Sequence, residues 1–441
     1  MRKFIPYGAV FFILFLLISL YAQQEDEKNT DFPNSVTVSS ERWVVRTDLG
    51  IESARRYLKL LDSLSDEYRE IFPEVKPEKW EKVEVWIYKT RRDLEKVYKI
   101  GERVIGIYLP HFKRIVAHQG FFGSDGTTAQ VLAHESVHAL QDAFFGDLKK
   151  TPVWVLEGMA VMTEGMSVKN GEVKLTKVPR DRLLRVRNDI ETKNTLPLKE
   201  LFSTNPANFD VRHYAYAGMF VYFLVKGNLS GTKEAFFDYL KTVKDKGDNA
   251  DEFQKAVSTR TGKQFDEVEK LFFKWAMQQK FEYSGKAVGT KYKSGLMEFS
   301  IDAPTNDWRI NIDSMLAKDE YVVYWRRNPY GRFSVSAVSN LYAYSAEELL
   351  KIREGELNES GARTTKTWMD KLGKRDAAFI EYEYEDKDVL KDGKPYKIRE
   401  IWLSTERAVY RLRFQAEINS FTELEEDFRK AERKFELEGD S

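Results

Sequence analysis

Residues Ala129 to Gly146 read AQVLAHESVHALQDAFFG. Val131, Leu132, Val137 and Leu140 recur at helical spacing, so the segment predicts a helix with a buried face. Thr127, with Gln130 three residues on, fits a capping box at its start. Gly146 suits its end. Into this apolar helix the sequence sets His134, Glu135 and His138. Residues four apart share one helix face, one turn apart, so both imidazoles can reach a single metal ion. Glu135 is rotated by one residue, where its carboxylate reaches a water without ligating the metal. This is the H-E-x-x-H pattern. Zinc lowers the pKa of such a water to about 7, and the glutamate takes the proton during attack. The plain alternative is a pair of helix histidines with ordinary hydrogen-bond partners. Against it, the chain has 5 histidines, and all of them (His111, His118, His134, His138 and His213) lie around the motif.

A catalytic zinc needs a third protein ligand and one open position. Glu157, in TPVWVLEGMAVMTE, is the candidate. Its neighbours are Val153, Trp154, Val155, Leu156, Met159 and Ala160. A carboxylate in such surroundings is costly unless it is paired or ligating. A buried ion pair is the competing reading.

HESVH followed by WVLEGMAVMTE resembles the gluzincin zinc metallopeptidases, the clan of thermolysin and aminopeptidase N. The pattern is similar to bacterial exported peptidase MA-like proteins. There a strand and long helix, then a strand–helix pair, precede the HExxH helix and a W-x-x-E-G-x-A helix. That order matches from about Glu41 to Gln279. The resemblance implies that His134, His138 and Glu157 ligate one Zn2+ and that Glu135 is the general base. Glu164 fits the family's trailing acidic position and is a candidate to support a ligand, an exposed helix glutamate being the alternative. Tyr214, in HYAYAGMFVYFL beside His213 and Tyr216, fits best as donor to the developing oxyanion, although helix aromatics are usually core. The resemblance also implies that RIVAHQ is an edge strand able to pair with an extended peptide, with His118 near the cleft. Two departures matter. Leu156 stands where aminopeptidase N-like members usually have Asn, and their Gly-x-Met-Glu-Asn segment is missing. The missing segment, whose glutamate reads the substrate's free amine in that family, makes an aminopeptidase the lesser expectation and leaves an endopeptidase or an unknown specificity.

The 441 residues suit two or three domains. Their 42% hydrophobic and 14% aromatic content supports real cores. Seventy basic residues balance seventy acidic ones, which gives no electrostatic case for nucleic acid or an anionic membrane. Cysteine is absent, so disulfides, thiolate ligands and thiol nucleophiles are excluded and any metal must use His, Asp or Glu. MRKFIPYGAVFFILFLLISLYA reads as a signal peptide (1–22), or as an uncleaved anchor through residues 4–22. Export to the periplasm, cell surface or medium follows. A flexible leader (23–36), a catalytic domain (37–283), a linker (284–295) and an accessory domain (296–441) complete the expected order. The accessory half reads as strands with two helices and weakly resembles PsbP-like domains. Its Trp308, Trp325, Trp368 and Trp402 are mostly expected in the core. The fold class is α+β throughout. The function expected is an exported zinc metallopeptidase acting on a peptide or protein. The rivals are a catalytically silent binding protein on the same fold and a zinc hydrolase of a non-peptide bond.

Overall fold

The computed structural model describes residues 32, 34–77, 81–98, 104–120, 128–165, 167–169, 172–174, 178–247, 250–279, 285–295, 297–312, 320–340, 344–360, 362–385, 395–406 and 408–438. The signal or anchor (1–22), the cap at Thr127 and a turn expected at Asp392-Gly393 lie outside them. The chain is α+β and divides into two compact units, Met1–Lys280 and Phe281–Ser441. No helix among the described residues is long and apolar enough to cross a membrane.

The first unit opens with a five-stranded sheet. Its strands are β1 (Val36–Ser39), β2 (Trp43–Thr47), β3 (Val83–Tyr88), β4 (Gly106–Leu109) and β5 (Arg114–His118), in the order β1-β2-β3-β5-β4. β2, β3 and β5 run parallel, and the outer pairs are antiparallel. Parallel strands need crossovers. Helix α1 (Ile51–Ile71) supplies the first, and α2 (Arg91–Val97) follows β3 with Thr90 as its N-cap. β3 is nearly all apolar and nearly all buried, as a strand covered on both faces must be.

Two expectations change here. RIVAH is an interior strand, because GIYL folds back antiparallel through a turn at Pro110–Lys113 and takes the edge as β4. The flexible leader (23–36) ends earlier than expected. Phe32 is buried and stacks on Tyr88 with centroids 4.3 Å apart, Arg46 Nε donates to Ser35 Oγ at 2.8 Å, and β1 already begins at Val36. One aromatic side chain finding a pocket outweighs the polar composition around it.

The rest of this unit is helical. It comprises α3 (Thr128–Phe145), α4 (Val153–Thr163), a small hairpin of β6 (Ser167–Lys169) and β7 (Glu172–Lys174), then α5 (Arg180–Glu191), α6 (Leu198–Ser203), α7 (Val211–Lys226), α8 (Thr232–Lys246), α9 (Ala250–Thr261) and α10 (Phe265–Gln278). α3 packs on β4, α1 and α4, and α4 packs closely on α7. Trp154 anchors α4 in an aromatic cluster of Phe202, Phe220, Phe236, Tyr239 and Phe253.

The second unit carries β8 (Lys286–Val288), β9 (Lys291–Ser294), β10 (Phe299–Asp302), β11 (Arg309–Asn311), β12 (Glu320–Arg326), β13 (Gly331–Ser339), helix α11 (Ala346–Ser360), β14 (Arg363–Leu372), β15 (Arg375–Glu385), β16 (Pro395–Ser404), β17 (Ala408–Glu417), helix α12 (Ile418–Arg433) and β18 (Glu436–Leu437). A seven-stranded antiparallel sheet has the order β11-β12-β13-β17-β16-β15-β14, and β18-β10-β9-β8 form a smaller one. The expected linker (284–295) is therefore the β8–β9 hairpin. Gly289 at φ 61° makes its turn, and Tyr292 is fully buried, which gives a polar, basic stretch its reason to order.

β16 explains the mixed alternation of Tyr396, Ile398, Glu400 and Trp402. Ile401, on one face, joins the core formed with Phe421, Leu424 and Phe428 of α12. Glu400, on the other, is fully buried. It accepts from Arg353 of α11 (2.8 and 3.1 Å), Tyr382 Oη (2.9 Å) and Trp402 Nε1 (3.1 Å). Trp308 and Trp402 are core, as expected. Trp325 and Trp368 are half-buried.

Burial alone would raise the Glu400 pKa, but Arg353, Arg411 and Arg413 outweigh it and hold the carboxyl at about 2. A depressed carboxyl stabilises the fold above its unfolded pKa, and that contribution is lost as pH falls from about 4.5 toward 2. Glu400→Gln, which removes the carboxylate shared by the half-buried Arg353 and Arg413 while Arg353 keeps Glu356, is expected to cost about 1–3 kcal/mol in urea unfolding of the full chain at pH 7. The gap between parent and variant should narrow below pH 4. A gap that stays constant down to pH 2 would contradict the charge assignment.

Candidate metal centre

α3 and α4 meet with their polar groups facing each other inside an apolar shell. His134 Nε2 lies 3.3 Å from Glu157 Oε2, and His138 Nε2 lies 3.6 Å from the same oxygen. The two rings stand 5.0 Å apart between centroids, one helical turn as the i, i+4 spacing requires. The three donor atoms lie within 4.8 Å of one another, and this group could hold a metal ion. Glu157 Oε2 is buried and makes no hydrogen bond. An acceptor in that state needs a positive partner.

Each histidine turns its other nitrogen to an acceptor. His134 Nδ1 lies 3.2 Å from Glu164 Oε1, and Glu164 is clamped by Arg182 through Nε (3.2 Å) and Nη2 (3.1 Å). Glu164 is buried, so the exposed-glutamate alternative does not hold. His138 Nδ1 lies 2.9 Å from Gln141 Oε1. With both Nδ1 atoms engaged, both Nε2 atoms face Glu157. This is the outer-shell arrangement that orients ligating imidazoles.

Glu135 does not join the cluster of donors. Its Oε2 accepts the Tyr108 N–H of β4 at 2.8 Å. That N–H points away from β5, so the sheet edge lies beside Glu135. Asp142, one turn below His138, ties the same strand by accepting from Tyr108 Oη and Lys113 Nζ, both at 2.6 Å.

Buried charges of both signs are concentrated here. Burial lowers the basicity of His134, yet Glu157 and Glu164 override it and lift its pKa to about 10. Burial likewise opposes a raised His138, which Glu157 drives up. Burial would raise Glu157, and the two imidazoles instead hold it at about 2. Burial raises Glu135, with the histidines and the Tyr108 N–H offsetting part of the rise. Three carboxylates thus surround two imidazoles and one guanidinium.

Of the three aromatic candidates on α7, one feels the charges of this centre. His213 Nδ1 is 2.7 Å from Asp210 Oδ1 in the helix capping box. Tyr216 is buried, and its Oη accepts from the Leu196 N–H at 3.1 Å. Tyr214 is half-buried, and burial together with the charges of Glu157 and Glu135 pushes its pKa well above the ordinary value. His118 Nδ1 lies 3.0 Å from the Gln119 carbonyl on interior strand β5. His111 packs edge-on against Phe112. Neither is part of the metal group. The sequence reading missed Gln141, Asp142 and Arg182. The first two interrupt the apolar run ALQDAFF at one-turn spacing from His138, a legible signal. Arg182 reaches Glu164 from beyond the β6–β7 hairpin and carries no local signal.

No known family model matches the chain, and no curated protein matches it. Solved structures with local likeness include a Bacteroides thetaiotaomicron protein (17% identity, 34% of this chain, 48% of that one, TM-score 0.24). Another is LpqN of Mycobacterium tuberculosis, described as involved in cell envelope biogenesis (17% identity, 32% of this chain, 85% of that one, TM-score 0.26). A third is the PsbP protein of Synechocystis sp. PCC 6803 (8% identity, 35% of this chain, 95% of that one, TM-score 0.26). The chain spans about half the length of the first of these.

Glu157 is positioned by close contact of α4 with α7. A Cβ on Gly158 would lie 2.6 Å from Val221 Cγ2 and 2.8 Å from the Ala217 carbonyl oxygen, and Gly218 is pressed in turn against Val161. Gly158→Ala gains about 1 kcal/mol in helix propensity but incurs about 1–3 kcal/mol of overpacking against a backbone atom that cannot turn aside. Thermal unfolding should therefore show a lowered melting temperature. An unchanged or raised one would contradict this packing.

Proposed function

We propose that this protein is an exported zinc metallopeptidase of the gluzincin type, acting as an endopeptidase on peptides or proteins. The observation that carries the reading is the convergence of two imidazole Nε2 atoms on Glu157 Oε2, a buried acceptor with no hydrogen bond. Two nitrogens and one carboxylate oxygen, with Glu135 beside them and not among them, fit a catalytic zinc that keeps one position open. The N-terminal sequence supports export, and the missing Gly-x-Met-Glu-Asn segment favours internal cleavage.

When bound, zinc is a Lewis acid that acidifies water and polarises a scissile carbonyl at neutral pH. The chain's own groups do the rest. Glu135, held through Oε2 by the Tyr108 N–H, takes the proton of the attacking water and returns it to the leaving amide nitrogen. Tyr214, kept protonated by its raised pKa, donates to the carbonyl oxygen as that oxygen gains charge. Strand β4 forms the sheet edge beside Glu135, and its outward Tyr108 N–H is already taken by that carboxylate.

Cleavage of casein or a peptide library by the zinc-loaded mature protein tests this. Glu135→Gln should keep its zinc and lose about 10²–10⁴-fold in kcat. Tyr214→Phe should lose about 10²–10³-fold in kcat with little change in KM. Equal cleavage by parent and Glu135→Gln would sink the mechanism, and zinc retention without cleavage by the parent would favour a binding protein.

A further inference from the structure

Gln141 is fully buried, polar and outside the chemistry above. Its two side-chain atoms do different things. Nε2 donates to the Leu156 carbonyl at 3.0 Å, and Oε1 faces His138 Nδ1 at 2.9 Å. A main-chain carbonyl can only accept, so the amide nitrogen must point to Leu156 and the amide oxygen to His138. An amide oxygen also only accepts, so His138 Nδ1 must carry a proton. In the neutral ring Nε2 then holds the lone pair, and Nε2 is the atom 3.6 Å from Glu157 Oε2.

The second contact is equally specific. Leu156 precedes Glu157 in sequence, and its side chain has no polar atom. The link from α4 to His138 therefore runs through its backbone carbonyl. Gln141 thus ties the histidine on α3 to the peptide unit adjoining the carboxylate on α4. His134 is served differently, by the charged pair Glu164–Arg182.

We propose that Gln141 is a positioning residue of the metal centre, which fixes His138 as the Nδ1–H tautomer and sets the register of Glu157 against it. This rests on the zinc reading above. A glutamine that merely fills space would leave the metal untouched when replaced by leucine of similar size. A positioning residue would not, because His138 then loses the acceptor that selects its tautomer.

The test compares parent, Gln141→Leu and Gln141→Glu as full-length mature proteins, by zinc affinity against a competing chelator and by imidazole 15N and Hδ1 resonances of the zinc-loaded forms. Thermal unfolding confirms that each folds. The parent should bind about one zinc with His138 bound through Nε2 and a slowly exchanging Hδ1. Gln141→Leu should bind about 10–100-fold more weakly and lose the slow Hδ1 signal. Gln141→Glu, which retains an acceptor for Nδ1, should restore that signal and most of the affinity. Parental affinity and an unchanged Hδ1 in Gln141→Leu would overturn the role of Gln141 and leave the zinc site standing. No zinc in the parent would overturn both.

Discussion

A carboxylate has been placed where water cannot solvate it. Glu157 is buried on an apolar helix, and one of its oxygens has no hydrogen bond. The neighbouring features all serve that oxygen: the i, i+4 histidines, the acceptors behind them and the glycine contact that lets α4 approach α7. Burying such a group is strongly unfavourable unless positive charge comes to meet it.

The second unit solves a similar problem differently. Glu400 is also fully buried and also held at about 2, but by guanidinium groups, with a tyrosine and a tryptophan adding hydrogen bonds. Its environment is complete within the chain, as a structural ion network should be. Around Glu157 the chain supplies only imidazoles, and each has its outer nitrogen engaged by an acceptor. Once deprotonated, imidazoles oriented in that way have their Nε2 lone pairs directed inward, where the three donor atoms lie close enough that they could hold a metal ion. The two carboxylates thus differ in their partners, arginine around Glu400 and histidine around Glu157, and only imidazole can also serve as a metal ligand.

Much of this was legible in the residues because the signals are local. Helical spacing placed His134 and His138 on one face, and the apolar surroundings of Glu157 marked it as a carboxylate needing a partner. Trp154 and Gly158 fit the close packing of α4. What escaped depended on contacts distant in sequence. RIVAH is apolar enough for an interior strand, but the edge position came from the family resemblance, and only the fold-back of GIYL shows which of the two is the edge. The β8–β9 hairpin was hidden by a basic, small-residue composition whose single anchor is Tyr292. β14 carries little strand signal of its own, because RTTKTWMDKL is mostly exposed and resembles a surface loop until β15 pairs with it. Arg182 became visible only once α5 brought it to Glu164.

The central claim is that His134, His138 and Glu157 together hold one zinc ion. X-ray absorption at the zinc edge on the purified mature protein, alongside Glu157→Ala, addresses it directly. The account predicts about one zinc per chain, bound by nitrogen and oxygen at roughly 2.0–2.2 Å with no sulfur, and loss of that signal in the variant. No zinc in the parent, or an identical spectrum in Glu157→Ala, would contradict it.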